Sequence, residues 1–258
     1  MEELVGGRTE AIFRDRDRVI RPRNIWTPSV HQLLEHYTAT GITETPVALK
    51  LAIDTETLSY VEGNTFNYPL SGAITSLKAI TSAAELLRKL HDASASFVKN
   101  NDIEKMDWML VTREPVEVIC HGDYTPYNVA LNGEKVTGVF DFDTAHPASR
   151  VWDVAFSIYC WAPFKTNPID KLGTLNEQLV RAKLFCDCYG LSIAGRVALV
   201  DTMVKRLQVL VDYMLSEADN GNPQFQRNIE DGHHLSYLQD IQYLNSHEKE
   251  ITDFISNH

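Results

Sequence analysis

Between Cys120 and Asp153 the chain gathers oxygen-bearing side chains at short spacings. Asp123 and Asn128 stand five apart, and Asp141 and Asp143 two apart. Carboxylate and amide oxygens are the donors a hard ion such as Mg²⁺ takes, with phosphate and water filling the rest of its shell. A second carboxylate can hold an attacking hydroxyl and accept its proton. These are the parts that γ-phosphoryl transfer needs, because that reaction asks for positioning and charge neutralisation more than covalent help. On this reading Asp123 is the candidate base, and Asn128 and Asp141 are the candidate Mg²⁺ ligands.

The surrounding residues predict how these groups meet. Val116, Val118 and Cys120 alternate as a strand does, and Val129 to Leu131 is a short apolar run. Asn132-Gly133, a pair that tolerates positive φ, predicts a tight hairpin into the β-branched run Val136–Phe140. That hairpin brings loop 121–128 beside loop 141–143. Asp143 has two readings, a contact to metal or substrate, or a cap on the segment that follows. Asp153, set among Val151, Trp152, Val154 and Ala155, is expected to be a buried carboxylate that needs hydrogen-bond donors. A transition-metal site built on His121, Asp123 and His146 lacks paired-histidine helix spacing and a third strong ligand.

In protein kinases the catalytic-loop Asp precedes its Asn by the same five residues, and Asp-Phe-Gly supplies the other metal ligand. Here the triplets are His121-Gly122-Asp123 and Asp141-Phe142-Asp143. HGDYTPYN, then VFDFD, then VWDVA resembles the aminoglycoside phosphotransferase / choline kinase family, small-molecule kinases with a protein-kinase-like fold. The resemblance implies Asp123 as catalytic base and Asn128 and Asp141 as Mg²⁺ ligands. It implies His121 as a loop organiser and Asp153 as the acceptor that fixes the catalytic-loop backbone. The co-substrate it implies is ATP or GTP.

The N-terminal part matches the family more loosely. Glu2 to Pro22 reads as a glycine turn followed by a hairpin around Asp15–Asp17. Gly6-Gly7 is either a plain turn or, as the resemblance implies for Gly7, part of a loop over the phosphates; it is not a G-x-G-x-x-G run. Arg21 stands where kinases carry a phosphate-binding Lys. A planar, bidentate Arg is not equivalent to a Lys at such a place, and Arg23 competes for the role. Thr27-Pro28 predicts a helix start with Thr as cap and Pro at the first position. Val30, Leu33, Leu34 and Tyr37 form its apolar stripe. Glu35 is the candidate partner of Arg21 or a solvated Glu. Val47–Ile53 and Leu58–Val61 read as an antiparallel pair around Asp54-Thr55-Glu56. Residues 58–63 resemble the family hinge, where Ser59 and Val61 would read the nucleotide base through their backbone.

Beyond Ser71 the periodicity becomes helical. Ile74–Val98 predicts one long or broken helix, with His91-Asp92 as an end-of-helix pair. Trp152–Trp161 predicts a core helix, and Leu175–Tyr189, Ile193–Leu215 and Leu235–Phe254 predict further helices. The expected fold class is α+β and protein-kinase-like. A small β-rich N-terminal lobe (1–60) covers the nucleotide, and a larger, mainly helical lobe (61–258) carries catalysis and acceptor binding, joined at 58–63.

Composition narrows the partners. A net charge of −11 argues against a nucleic-acid surface. The first sixty residues carry 7 Lys/Arg against 9 Asp/Glu, so most of the excess acid lies beyond them. That charge suits a cationic acceptor or simply a solvated helix face. The four cysteines are too few and scattered for a disulfide scaffold and read as reduced. No apolar leader or long apolar span stands in the sequence, so a cytoplasmic protein without a membrane partner is expected. The leading expectation is an O-phosphotransferase acting on a small hydroxylated molecule. An aminoglycoside is the family-implied acceptor, with choline, a sugar or a hydroxy amino acid open. The alternative is a nucleotide-binding pseudoenzyme or regulatory module of the same fold.

Overall fold

The computed structural model describes residues 1–4 and 12–257. The expected glycine turn with Gly7 lies outside the described residues. The chain forms two compact units, residues 1–65 with 86–150, and residues 66–85 with 151–258.

The first unit opens with β1 (Glu2–Leu4), β2 (Ile12–Asp15), β3 (Arg18–Pro22), α1 (Thr27–Ala39), β4 (Ala48–Leu51) and β5 (Thr55–Ser59). The strands form an antiparallel sheet in the order β1-β2-β3-β5-β4. The expected hairpin closes at Arg16-Asp17, with Asp15 opposite Arg18 and Arg16 at φ 58°. α1 begins one residue before the expected start. Thr27 is its first residue rather than its cap, because the hydroxyl accepts from Asn24 N–H at 2.9 Å and ties the entry loop instead. Val30, Leu33, Leu34 and Tyr37 are buried as the stripe predicts.

The turn between β4 and β5 falls earlier than expected. Ala52 N–H donates to Thr55 O, and β5 already begins at Thr55. Glu56, expected in the turn, therefore sits inside a strand, opposite Arg21 of β3. It shares the buried face with Leu58 two residues on.

α2 (Leu77–Asn100) gives its first turns to the second unit and the rest to the first. It runs unbroken past His91-Asp92, so that pair does not end a helix. His91 is buried at mid-helix, and Asp92 binds Arg88 and Arg150. His36 Nε2 reaches Ala93 O and Ser96 Oγ, which links α1 to α2.

β6 (Val118–Cys120) pairs with β9 (His146–Ala148), and β7 (Val129–Asn132) with β8 (Lys135–Val139). The expected hairpin is present one residue later: Asn132 pairs with Lys135, and Gly133-Glu134 make the turn with Gly133 at φ 61°. A single 3₁₀ turn, Phe142–Thr144, follows.

The second unit is helical. α3 (Arg150–Trp161) is buried from Asp153 to its end. α4 (Leu175–Tyr189) starts with a reciprocal Thr174–Glu177 capping box. The expected helix over 193–215 breaks at Ala198 into α5 (Ile193–Val197) and α6 (Leu199–Asp219). α7 (Pro223–Glu230) and α8 (His233–Ser256) complete it; α6 packs on α8, and Leu244, Ile251 and Ile255 of α8 are buried. All four cysteines are free. Among the described residues no helix is long and apolar enough to cross a membrane.

Candidate active site

The loop from His121 to Asn128 is built around Asp123. Gly122 takes φ 80°, and a Cβ there would collide with the Thr144 carbonyl, so only glycine lets the two loops approach this closely. His121 links the two loops by hydrogen bonds. Its Nε2–H donates to Phe140 O at 3.0 Å, while Nδ1 accepts from Asp123 N–H at 3.3 Å. The partners fix these roles, since a carbonyl only accepts and an amide N–H only donates. Thr144 Oγ1 donates back to His121 O, and Phe140 N–H donates to Asn128 O. The loops carrying Asp123 and Asp141 are thus tied at three points.

The Asp123 carboxylate is held from two sides. Tyr127 OH donates to Oδ1 at 2.9 Å, with Oδ2 at 3.2 Å. Asn128 Nδ2 donates to Asp123 Oδ2 and to Asp123 O, both at 2.9 Å. Both partners of the Asn128 amide nitrogen are acceptors, which fixes the orientation of the side chain. Its Oδ1 then has no hydrogen-bond partner among the described residues. Tyr127 lies inside the HGDYTPYN motif, and the motif pattern assigns it no role. Its place four residues on is the only signal the sequence offers.

The second cluster centres on Arg21, whose side chain is 11 % exposed. Nε donates to Glu56 Oε1 at 2.7 Å, Nη2 to Asp143 Oδ1 at 2.7 Å and Nη1 to Asp141 Oδ1 at 3.3 Å. Burial opposes the charge on Arg21, but attraction by Asp143, Glu56 and Asp141 outweighs it and holds the guanidinium pKa above its ordinary value. The expected partner, Glu35, is exposed on α1, and Glu56 stands in its place. From α1 comes His31 instead, whose Nε2 lies 2.8 Å from the other Glu56 oxygen. The network therefore runs from helix α1 through strands β5 and β3 to the Asp-Phe-Asp loop. A period-two reading that joined Glu56 to Leu58 would have found it.

Asp141 sits at φ 64°, a strained position for a non-glycine residue, with 38 % of its side chain exposed. Asp143 is nearly buried and pairs with Arg21, a role that neither of its two expected readings included. Phe142 between them packs against His121 (ring centroids 4.6 Å apart) and Tyr37 (6.1 Å) and anchors the loop. The oxygens that fit an Mg²⁺ ion are Asn128 Oδ1 and the exposed Asp141 carboxylate, which are hard donors of the right kind.

The other expected residues are spread further. Among the described residues the Arg23 side chain donates to Ala52 O and does not join the cluster. Ser59 commits its N–H to Val47 O and its hydroxyl to Val47 N–H, both inside the sheet. The Val61 backbone makes no hydrogen bond among the described residues. Asp153 is 1 % exposed in the first turn of α3.

Residues 99–186 match the model of a family described as the phosphotransferase enzyme family. A trifolitoxin immunity protein from Rhizobium leguminosarum bv. trifolii is 30 % identical over 210 residues, 78 % of each chain. A choline/ethanolamine kinase family protein from Mesorhizobium loti shares the fold with TM-score 0.62 at 15 % identity, over 99 % of this chain and 92 % of the other. A phosphotransferase solved with streptomycin and ATP aligns with TM-score 0.55 at 13 % identity, over 88 % and 90 %.

Proposed function

Because the chain belongs to this phosphotransferase family, of protein-kinase-like fold, we propose that it moves the γ-phosphoryl group of ATP or GTP to a hydroxyl of a small acceptor. The observation that carries the proposal is the Asp123–Asn128 pair, hydrogen-bonded at 2.9 Å and tied through His121 to the loop that bears Asp141. Asp123 receives the acceptor's proton as its oxygen attacks the γ-phosphorus, and the bond to the bridging β–γ oxygen breaks to release ADP or GDP. Tyr127 and Asn128 orient the carboxylate that takes the acceptor hydroxyl. Asn128 and Asp141 would hold Mg²⁺, which supplies charge neutralisation on the phosphates. Arg21 positions Asp141 and Asp143, and the unbonded Val61 backbone is the stronger candidate for reading the base. In this reading residues 1–60 cover the nucleotide and 61–258 carry catalysis and the acceptor, joined at 58–63.

Acceptor identity is a matter of proposal, because fold and motif do not select it. An aminoglycoside is one candidate. The Rhizobium relative is named for immunity to trifolitoxin, and a protective role here suits phosphorylation of an antibiotic. It also suits the second reading, a nucleotide-binding module without turnover. Arg21 favours that second reading: its guanidinium is engaged by three carboxylates rather than turned to a phosphate. A coupled ADP/GDP-release assay over aminoglycosides, choline, sugars and hydroxy amino acids separates the two. Acceptor-stimulated release that disappears in Asp123→Ala supports transfer. Nucleotide binding without release from any acceptor supports the module.

A further inference from the structure

In the unit of residues 66–85 and 151–258, Lys165 lies in surroundings that call for a group the chain itself does not provide. It follows α3 in a turn where its N–H donates to Pro163 O at 2.7 Å. Only 8 % of the residue is exposed. Its ammonium lies 4.5 Å from the Tyr68 ring centroid and 5.1 Å from that of Tyr159. Among the described residues the ammonium makes no hydrogen bond and no ion pair. It is not one of the fully enclosed unpartnered polar atoms, so it retains some contact with solvent.

The neighbouring carboxylate is already engaged. Asp240, 3 % exposed on α8, accepts from Thr166 N–H at 2.6 Å, from Thr166 Oγ1 at 2.7 Å and from Tyr159 OH at 2.6 Å. Burial, and then the Asp240 charge, push the Tyr159 phenol above its ordinary pKa, so it stays a donor. Three donors therefore meet Asp240, and Lys165 is left to the rings. Ring faces attract a cation but are poor acceptors for the three N–H groups of an ammonium. A buried charge is ordinarily paired.

We propose that Lys165, walled by Tyr68 and Tyr159, is a binding site for the oxyanion group of a small molecule, a carboxylate or a phosphate monoester. The oxyanion takes the Lys165 N–H donors. The same geometry disfavours a quaternary ammonium, because the aromatic faces that would hold it are filled by the chain's own cation. That runs against the cationic ligand suggested by the net charge of −11. The site rests on this unit alone and does not depend on the phosphotransferase reading.

The test is calorimetric titration of the whole protein with acetate, inorganic phosphate and choline chloride at matched ionic strength, comparing wild type with Lys165→Met and Lys165→Arg. The expected result is binding of at least one oxyanion, weakened about tenfold or more in Lys165→Met and largely kept in Lys165→Arg, with no choline binding that Lys165→Met alters. Whichever of acetate and phosphate saturates first names the ligand class. Equal binding by wild type and Lys165→Met, or none by wild type, overturns the proposal. Should Lys165→Met fail to fold, reductive methylation of Lys165 in the wild-type protein, read by peptide mass spectrometry, replaces it. Slower labelling with the oxyanion present is expected, and an unchanged rate overturns the site.

Discussion

Arg21 Nη2 lies 2.7 Å from Asp143 Oδ1, and both side chains are almost wholly buried. This contact fastens β3 to the Asp-Phe-Asp loop, and Glu56 and Asp141 extend it to a guanidinium met by three carboxylates. A lysine could not reproduce it, because a single ammonium cannot span the fork geometry of the guanidinium. Arg21→Ala leaves buried carboxylates without their cation and should cost about 3 kcal/mol in urea unfolding. Arg21→Lys should recover only part of that loss. A variant as stable as wild type would show that the cluster does not hold the loop.

His31 and Glu56 are predicted to act through Arg21. Removing the His31 ring leaves one oxygen of a carboxylate that is 1 % exposed without its partner. His31→Ala should raise the KM for nucleotide roughly tenfold while changing kcat less. Glu35→Ala, at an exposed position on the same helix, should leave both unchanged. Equal effects from the two substitutions would refute the relay.

Gly122→Ala tests how closely the two loops must approach. The added Cβ meets the Thr144 carbonyl, and the backbone is at φ 80°. The variant should lose on the order of 2 kcal/mol of stability and a large part of its activity. A neutral result would mean that loops 121–128 and 140–144 are less tightly joined than the hydrogen bonds indicate.

Tyr127→Phe removes a donor from Asp123 and leaves the Asn128 contacts in place. It should lower kcat by about tenfold or less, with little change in the KM for nucleotide. A loss as deep as that of an Asp123 variant would assign the phenol a direct part in proton transfer.

Much of the site was legible because its members are close in sequence. Asp123, Asn128, Asp141 and Asp143 occupy one hairpin and its flanks, so spacing alone pointed to their convergence. Glu56 was hidden by one local misreading. With the turn set at 54–56, a residue of the buried strand face looked like a turn residue, and the cross-strand pair Arg21–Glu56 depends on register 35 residues away. Asp240 stands in an acidic helical stretch, although Leu244 and Ile251 at helical spacing place it on the inward face of α8. The helix ends were legible where a cap was strong, as at Thr174. They were less so at Ala198, where no glycine or proline marks the break.

The central claim is that Asp123 performs the proton transfer while Asn128 and Asp141 hold the metal. Its most direct test measures acceptor-stimulated ADP or GDP release and Mg-nucleotide affinity side by side for wild type, Asp123→Ala and Asp141→Ala. The account predicts that Asp123→Ala loses at least about a hundredfold in turnover with affinity nearly unchanged, and that Asp141→Ala loses Mg-dependent affinity itself. Full turnover in Asp123→Ala would contradict it.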